Sequence, residues 1–458
     1  MVNVVPEFSA IEDRSIARTI LRLLFLVGCV LSSVCFGKGA SSPPPLRSGF
    51  FRLSKFLHVM AQSSDPDFIP ASEFYGNYHG HEVEFLEMLH DSMQQQSEKK
   101  VEDARRCIFL VGDSSLDNKH WLLDTRRAPD DHQQLKSDSR SGPALNGFES
   151  ILRPPRMVKD FAFWMNFFAV NPESIFDPGE ESPGFDFLRC SSNSGRLKLP
   201  FWCCNAAVEE STLSDRDENP AKSPARCGLK EGGLLYHDQF VRDRIAEGDY
   251  LVVSVGGNDI ALRPSVGTMW NIALLMYLTS TTYIIENQSS FWSPFNSGWG
   301  GWGWPIGLAH LIKMFRYQLA AYLTKLVEKK KPKAIFVCMI YFPDESPPPG
   351  KVSWADTALN QLSYNSHPEK VQSLIRAVYR LGVEQVEVEG TRIVPVPFFE
   401  VLDGKNTGDY EARVEPSVEG GRKLARQVWK EIVKFEGKSA SEAVGGSDDA
   451  EHASSSNK

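Results

Sequence analysis

Four runs of apolar residues closed by turn residues set the frame of this chain. Residues 107–111 run into Gly112-Asp113-Ser114, and residues 250–255 into Gly256-Gly257-Asn258-Asp259. Residues 334–342 run into Pro343-Asp344, and a shorter run covers 392–396. Short apolar runs without alternation, bounded by turn signals, predict strands buried on both faces. Between them apolar positions recur at helical spacing. Leu234, Phe240, Val241 and Ile245 precede the stop at Gly248. Leu308, Ile312, Phe315, Leu319, Leu323 and Leu326 predict one amphipathic helix over 306–330, ended by Pro332. Further helices are predicted at 368–381 and 416–435, the latter with Pro416 in its first turn. Val83, Phe85, Leu86 and Leu89 mark a helical lead-in between 72 and 97. Strand–helix alternation of this kind predicts an α/β fold with a mainly parallel sheet.

Other stretches lack the pattern. Residues 118–195 are rich in Asp, Arg, Ser and Pro and read as a decorated insertion, ordered in part by the apolar patch at 161–170. Residues 270–285 are apolar, and 291–304 are aromatic and Gly-rich. This region reads either as an apolar substrate cleft or lid, or as an insertion packed on the domain. At the start, Arg14, Arg18 and Arg22 precede an apolar run over 23–36, as in a signal peptide or signal anchor. The run is short of the roughly 20 residues of a membrane span. The chain therefore divides into a targeting segment and linker at 1–60, an α/β domain at 61–436, and a Ser-, Gly- and acid-rich tail at 437–458 expected to be disordered. The segment implies secretory entry and membrane association through the N-terminus, or a cytoplasmic protein if translation begins at Met60.

Composition narrows this only slightly. The chain of 458 residues has a net charge of −8, and its basic clusters are as short as Lys329-Lys330-Lys331, so nothing suggests nucleic acid. Cys107 and Cys338 lie in apolar runs and read as buried thiols. Cys190, Cys203, Cys204 and Cys227 fall in a loop-rich region and are disulfide candidates in a secreted chain. They lack paired CxxC spacing, and no metal or cofactor is expected. Asn287-Gln288-Ser289 is a glycosylation sequon, meaningful in a luminal chain.

The chemistry concentrates at two strand ends. A serine nucleophile needs a base and oxyanion donors. Ser114 closes the first apolar run, and an Asn side chain beside a Gly N–H closes the second. Together Gly112-Asp113-Ser114, Leu116-Asp117-Asn118 and Gly256-Gly257-Asn258-Asp259 resemble the first and third blocks of the GDSL/SGNH hydrolases, a family of esterases and lipases. The stretch from Asn205 to Thr212 resembles the second block, with Glu210 where the family carries a Gly whose N–H serves the oxyanion hole. The resemblance covers roughly residues 105–435. It implies a three-layer α/β/α fold and hydrolysis of a small-molecule or lipid ester through a serine acyl-enzyme. Ser114 would be the nucleophile, with Gly257, Asn258 and Glu210 in the oxyanion site, Asp113 ordering its turn, and Asp259 closing the third block.

The last block departs from the family. Where Asp-x-x-His is usual, this chain reads Ala412-Arg413-Val414-Glu415, followed by Pro416-Ser417. Glu415 takes the place of the histidine and Ala412 that of the aspartate. Three readings follow. The base comes from elsewhere, His367 first and His120 or His237 after it; or Glu415 replaces it, with activity low or shifted to acid pH; or the domain is silent and binds a ligand or partner.

Overall fold

The computed structural model describes residues 68–99, 105–123, 139–180, 199–217, 233–287, 307–346 and 353–454, with 230–231, 305 and 350. Its centre is a sheet of five parallel strands: β1 (Arg106–Gly112), β2 (Phe201–Asn205), β3 (Tyr250–Ser254), β4 (Ala334–Met339) and β5 (Arg392–Pro397). Their order across the sheet is β5-β4-β3-β1-β2. This is a doubly wound order that reverses between β1 and β3, and in such sheets ligands bind beyond the carboxyl ends of the strands at the reversal. The β1–β3 register places Gly112 beside Ser254, so the two polar turns leave the sheet side by side.

Four of the strands are those marked by the apolar runs. The fifth, β2, was hidden in the supposed cysteine-rich loop. Five residues ending in Asn, two of them Cys, carry little strand signal alone; pairing with β1 from Arg106↔Phe201 to Leu110↔Asn205 makes them a strand. All five are buried. Cys203 and Cys204 are therefore buried free thiols rather than disulfide partners in a loop. Burial also pushes the Cys203 thiol upward. Cys190 and Cys227 lie outside the described residues, as do residues 1–60, the aromatic stretch 291–304 and the end of the sequon.

Helices flank the sheet: α1 (Val83–Lys99), α2 (Phe161–Val170), α3 (Tyr236–Arg244), α4 (Gly257–Ala261), α5 (Val266–Leu278), α6 (Thr281–Asn287), α7 (Leu308–Ile312), α8 (Leu319–Leu326), α9 (Asp356–Gln361), α10 (Pro368–Leu381) and α11 (Val418–Ser454). Successive β1 side chains alternate in direction. Ile108 and Leu110 join a cluster with Phe161, Met165 and Trp429, whereas Phe109 meets His90 and Phe240. Trp429 is fully buried and donates its indole N–H to the Met165 carbonyl at 2.9 Å, so α11 is fastened to α2. Truncating it to Ala would cost about 3–5 kcal/mol. Asp160 caps α2, accepting from the Phe163 N–H at 2.8 Å.

Three boundaries differ from expectation. The helix predicted over 306–330 is interrupted by a π-turn at Lys313–Gln318, between α7 and α8. Pro416 is not in the first turn of α11. It lies in a short strand, and Ser417 forms the cap, accepting from the Gly420 N–H at 3.1 Å. The last helix continues past residue 436, where the tail was expected, to Ser454. Among the described residues no helix is long and apolar enough to cross a membrane.

Candidate active site

The turn after β1 is held against the end of β3. Gly112 has φ +135°, and a Cβ there would stand 1.7 Å from the Ser254 carbonyl oxygen, so only glycine permits the approach. The Asp113 N–H donates to that carbonyl at 3.0 Å, and the Ser115 and Ser254 hydroxyl oxygens are in contact at 2.7 Å. Asp113 Oδ1 accepts from the N–H and hydroxyl of Ser115 at 3.1 and 2.7 Å, which ties the turn together. Burial raises Asp113 to about pKa 6, against the Ser115 bonds and Arg216, which lower it. Ser114 is left at the tip, 7% exposed.

Glu415 reaches the same place from the far end of the chain. Two short strands, β6 (Tyr410–Glu411) and β7 (Glu415–Pro416), form an antiparallel hairpin whose turn holds Ala412 and Arg413 at φ +44° and +71°. Asn118, four residues beyond Ser114, donates to the Pro416 carbonyl at 2.9 Å. The Tyr341 hydroxyl donates to the Val414 carbonyl at 2.7 Å, and Arg413 ion-pairs with Asp356 at 2.9 Å. Held this way, the buried Glu415 lines one cleft with Ser114, whose hydroxyl favours the ionised carboxylate. Glu415 Oε2 is buried with no hydrogen-bond partner. Burial is the main cause of a Glu415 pKa raised to about 8. The neighbouring Ser114 hydroxyl opposes the rise, and the charges of Asp113 and Glu210 add to it.

The third block lies opposite. Gly256 (φ +114°) starts α4, and a Cβ on Gly257 would stand 3.9 Å from Asp113 Oδ2, so the two turns face each other. Asn258 is buried and donates through Nδ2 to the Ser211 carbonyl at 3.0 Å, which orients its amide. Asp113, Ser114, Gly257, Asn258 and Glu415 line one cleft with an empty volume of about 1180 Å³, open mouth included. Its remaining walls are apolar, from Ile272 and Met276 of α5, Phe315 of the π-turn, Leu359 of α9 and Leu374 of α10, among others. Among the described residues no Lys, Arg or His lines it.

The other predicted residues lie elsewhere. His367 is 59% exposed at the start of α10 and faces Glu369 at 3.3 Å, so it is not the base at Ser114. His120 packs edge-on against the Tyr78 ring, and His237 is buried with Nε2 at 2.6 Å from the His81 carbonyl; neither lines the cleft. Asp259 is committed to structure, accepting from the Leu213 and Ser214 N–H groups at 2.7 and 2.9 Å. Glu210 also stands outside the lining. Its carboxylate accepts from the Tyr78 hydroxyl at 3.0 Å. Its φ of +59° is the left-handed conformation that suits glycine, the residue the resemblance places there.

Sequence reading passed over Glu209, which is 2% exposed beside this site. It accepts from the Trp121 indole at 3.0 Å, and burial followed by the Glu415 charge drives its pKa well up. It also passed over Lys119, buried in an ion pair with Asp117 at 2.6 Å. A lysine and an aspartate two residues apart look like surface charges in a sequence; only their burial marks them. Among the described residues no group of three His, Cys, Asp or Glu is placed to hold a metal ion. Comparison with family models, with curated proteins and with solved structures finds no match to this chain.

Proposed function

We propose that this chain is a serine hydrolase of carboxylic esters with an SGNH-like three-layer α/β/α domain, in which Glu415 stands in for the usual histidine. The observation that carries the reading is that Ser114 and the buried Glu415 line one apolar cleft with Gly257 and Asn258, at the reversal of a doubly wound sheet. A carboxylate near pKa 4 is a poor acceptor for a serine proton, whereas one raised toward 8 by burial is better matched. In this reading Ser114 Oγ attacks the ester carbonyl while Glu415 takes its proton. The tetrahedral oxyanion is met by the Gly257 N–H and the Asn258 amide. Glu415 then protonates the leaving alcohol, and water releases the acyl group from Ser114 by the reverse steps. The apolar cleft favours an ester with a hydrophobic chain over a sugar or a charged substrate.

A fluorophosphonate probe tests this directly. The wild-type protein should be labelled at alkaline pH, and Ser114→Ala should abolish labelling. Folded protein that stays unlabelled from acid to alkaline pH would establish the silent, ligand-binding reading instead.

A further inference from the structure

The large hydrophobic residues exposed among the described residues are Val266, Trp270, Tyr277, Leu278, Ile285 and Tyr317. All six fall on α5, α6 and the π-turn, although described residues extend from 68 to 454. Of these elements, α5 and the π-turn wall the cleft. On α5, Ile272, Leu275 and Met276 face inward at i, i+3, i+4 spacing. Val266, Trp270 and Tyr277 recur at i, i+4, i+11 on the other side, 63%, 43% and 44% exposed. The helix contains no charged residue. A helix apolar all round is ordinarily buried on every side, in protein or in lipid. Thirteen residues are too few to span a bilayer, which takes about 20, so this helix suits the surface of a bilayer.

The local charge points to the same partner. The whole chain carries −8, yet from Val266 to Gln318 the only acid is Glu286, against Lys313 and Arg316. Lys313 is exposed, and Arg316 lies over the Tyr317 ring at 5.2 Å. The π-turn bearing both cations continues α7, which is bound to α5 through the contact between the Thr268 hydroxyl and His310 at 3.0 Å. Aromatic side chains with polar tips beside lysine and arginine are the composition of a membrane-interface face. A helix end is also pinned here: the buried Lys370 ammonium donates to the Met276 and Thr279 carbonyls, both at 2.6 Å.

We propose that the outer face of α5, with α6 and the π-turn, seats on a negatively charged bilayer surface, so that the ester substrate enters the cleft from the lipid. The proposal rests on the hydrolase reading only for what the cleft does; the docking itself needs no catalysis. The test uses the full chain carrying Ser114→Ala and measures co-flotation with vesicles of phosphatidylcholine alone or mixed with phosphatidylglycerol. Binding should be stronger to the anionic vesicles and fall with salt. Val266→Ser/Trp270→Ser, and separately Leu278→Ser, should each weaken it by about tenfold, and Lys313→Glu should remove most of the preference for phosphatidylglycerol. Circular dichroism and thermal melting establish that each variant is folded; these positions are on the surface, and Leu278→Ser stands if the double variant fails. Three results would overturn the proposal: no vesicle binding by the folded chain; binding that none of the folded variants weakens, which assigns it to another part of the chain; or a dimer that Val266→Ser/Trp270→Ser splits, which assigns the face to a second copy. Failure of fluorophosphonate labelling with variant-sensitive vesicle binding would remove the hydrolase reading and leave the docking face intact.

Discussion

Ser114 and the buried carboxylate of Glu415, about three hundred positions further along the chain, line the same cleft. They come together there because Asn118, at the end of the serine turn, grips the Pro416 carbonyl next to Glu415. Replacing Glu415 by Gln keeps the shape and removes the base. With p-nitrophenyl butyrate as substrate, kcat should fall by roughly 10²–10⁴, with little change in KM. Ser114→Ala should lose as much or more. A Gln variant as active as wild type would exclude Glu415 as the base.

The sign of the pH dependence follows from the same group. Burial raises Glu415 to about 8, and the base form is the ionised one, so kcat/KM should rise with pH to a plateau above that value. This reverses the acid shift that an ordinary glutamate would produce. Stability should run the other way. A carboxyl whose folded pKa lies above its unfolded value contributes stability at low pH that is lost as pH rises through the folded pKa. Thermal melts across this range should show wild type losing stability toward pH 8 relative to Glu415→Gln.

Installing the Asp and His that the resembled hydrolases carry tests the register. Ala412 sits at φ +44°, a conformation that Asp tolerates better than Ala. Glu415→His with Ala412→Asp should therefore fold and move the apparent pKa of kcat/KM toward the ordinary histidine value of about 6.5. An unchanged alkaline profile in the folded double variant would show that position 415 does not set it.

The buried Asp117–Lys119 pair should be costly to break from one side. Lys119→Met leaves the Asp117 carboxylate buried without its cation, and urea unfolding should show a loss of about 3–5 kcal/mol. Adding Asp117→Asn should recover much of it, because the uncompensated charge is then gone.

Gly112→Ala places a Cβ 1.7 Å from the Ser254 carbonyl oxygen at a positive φ. The β1 and β3 ends must separate, and the loss should be on the order of 3 kcal/mol or more, read as insoluble protein or a collapsed melting temperature.

The amino-acid sequence alone determined the strands that announce themselves by uninterrupted apolar runs, the helices with a regular apolar stripe, and the two polar turns holding Ser114 and Asn258. These signals are local, set by the periodicity of a strand or helix and by turn chemistry. Through Pro416 and Ser417 it also put Glu415 in the place where the resembled hydrolases carry a histidine. Tertiary structure alone decided the rest. Strand β2 depends on a ladder with β1 rather than on its own propensity. The π-turn within 306–330 leaves no mark in an apolar stripe that reads as regular. His367 beside a helix start looked as good a base as any until its exposure removed it. Above all, whether Glu415 is an ordinary acid or a base poised near neutrality depends on desolvation, and desolvation is a property of what surrounds a side chain in space, which no neighbour in sequence records.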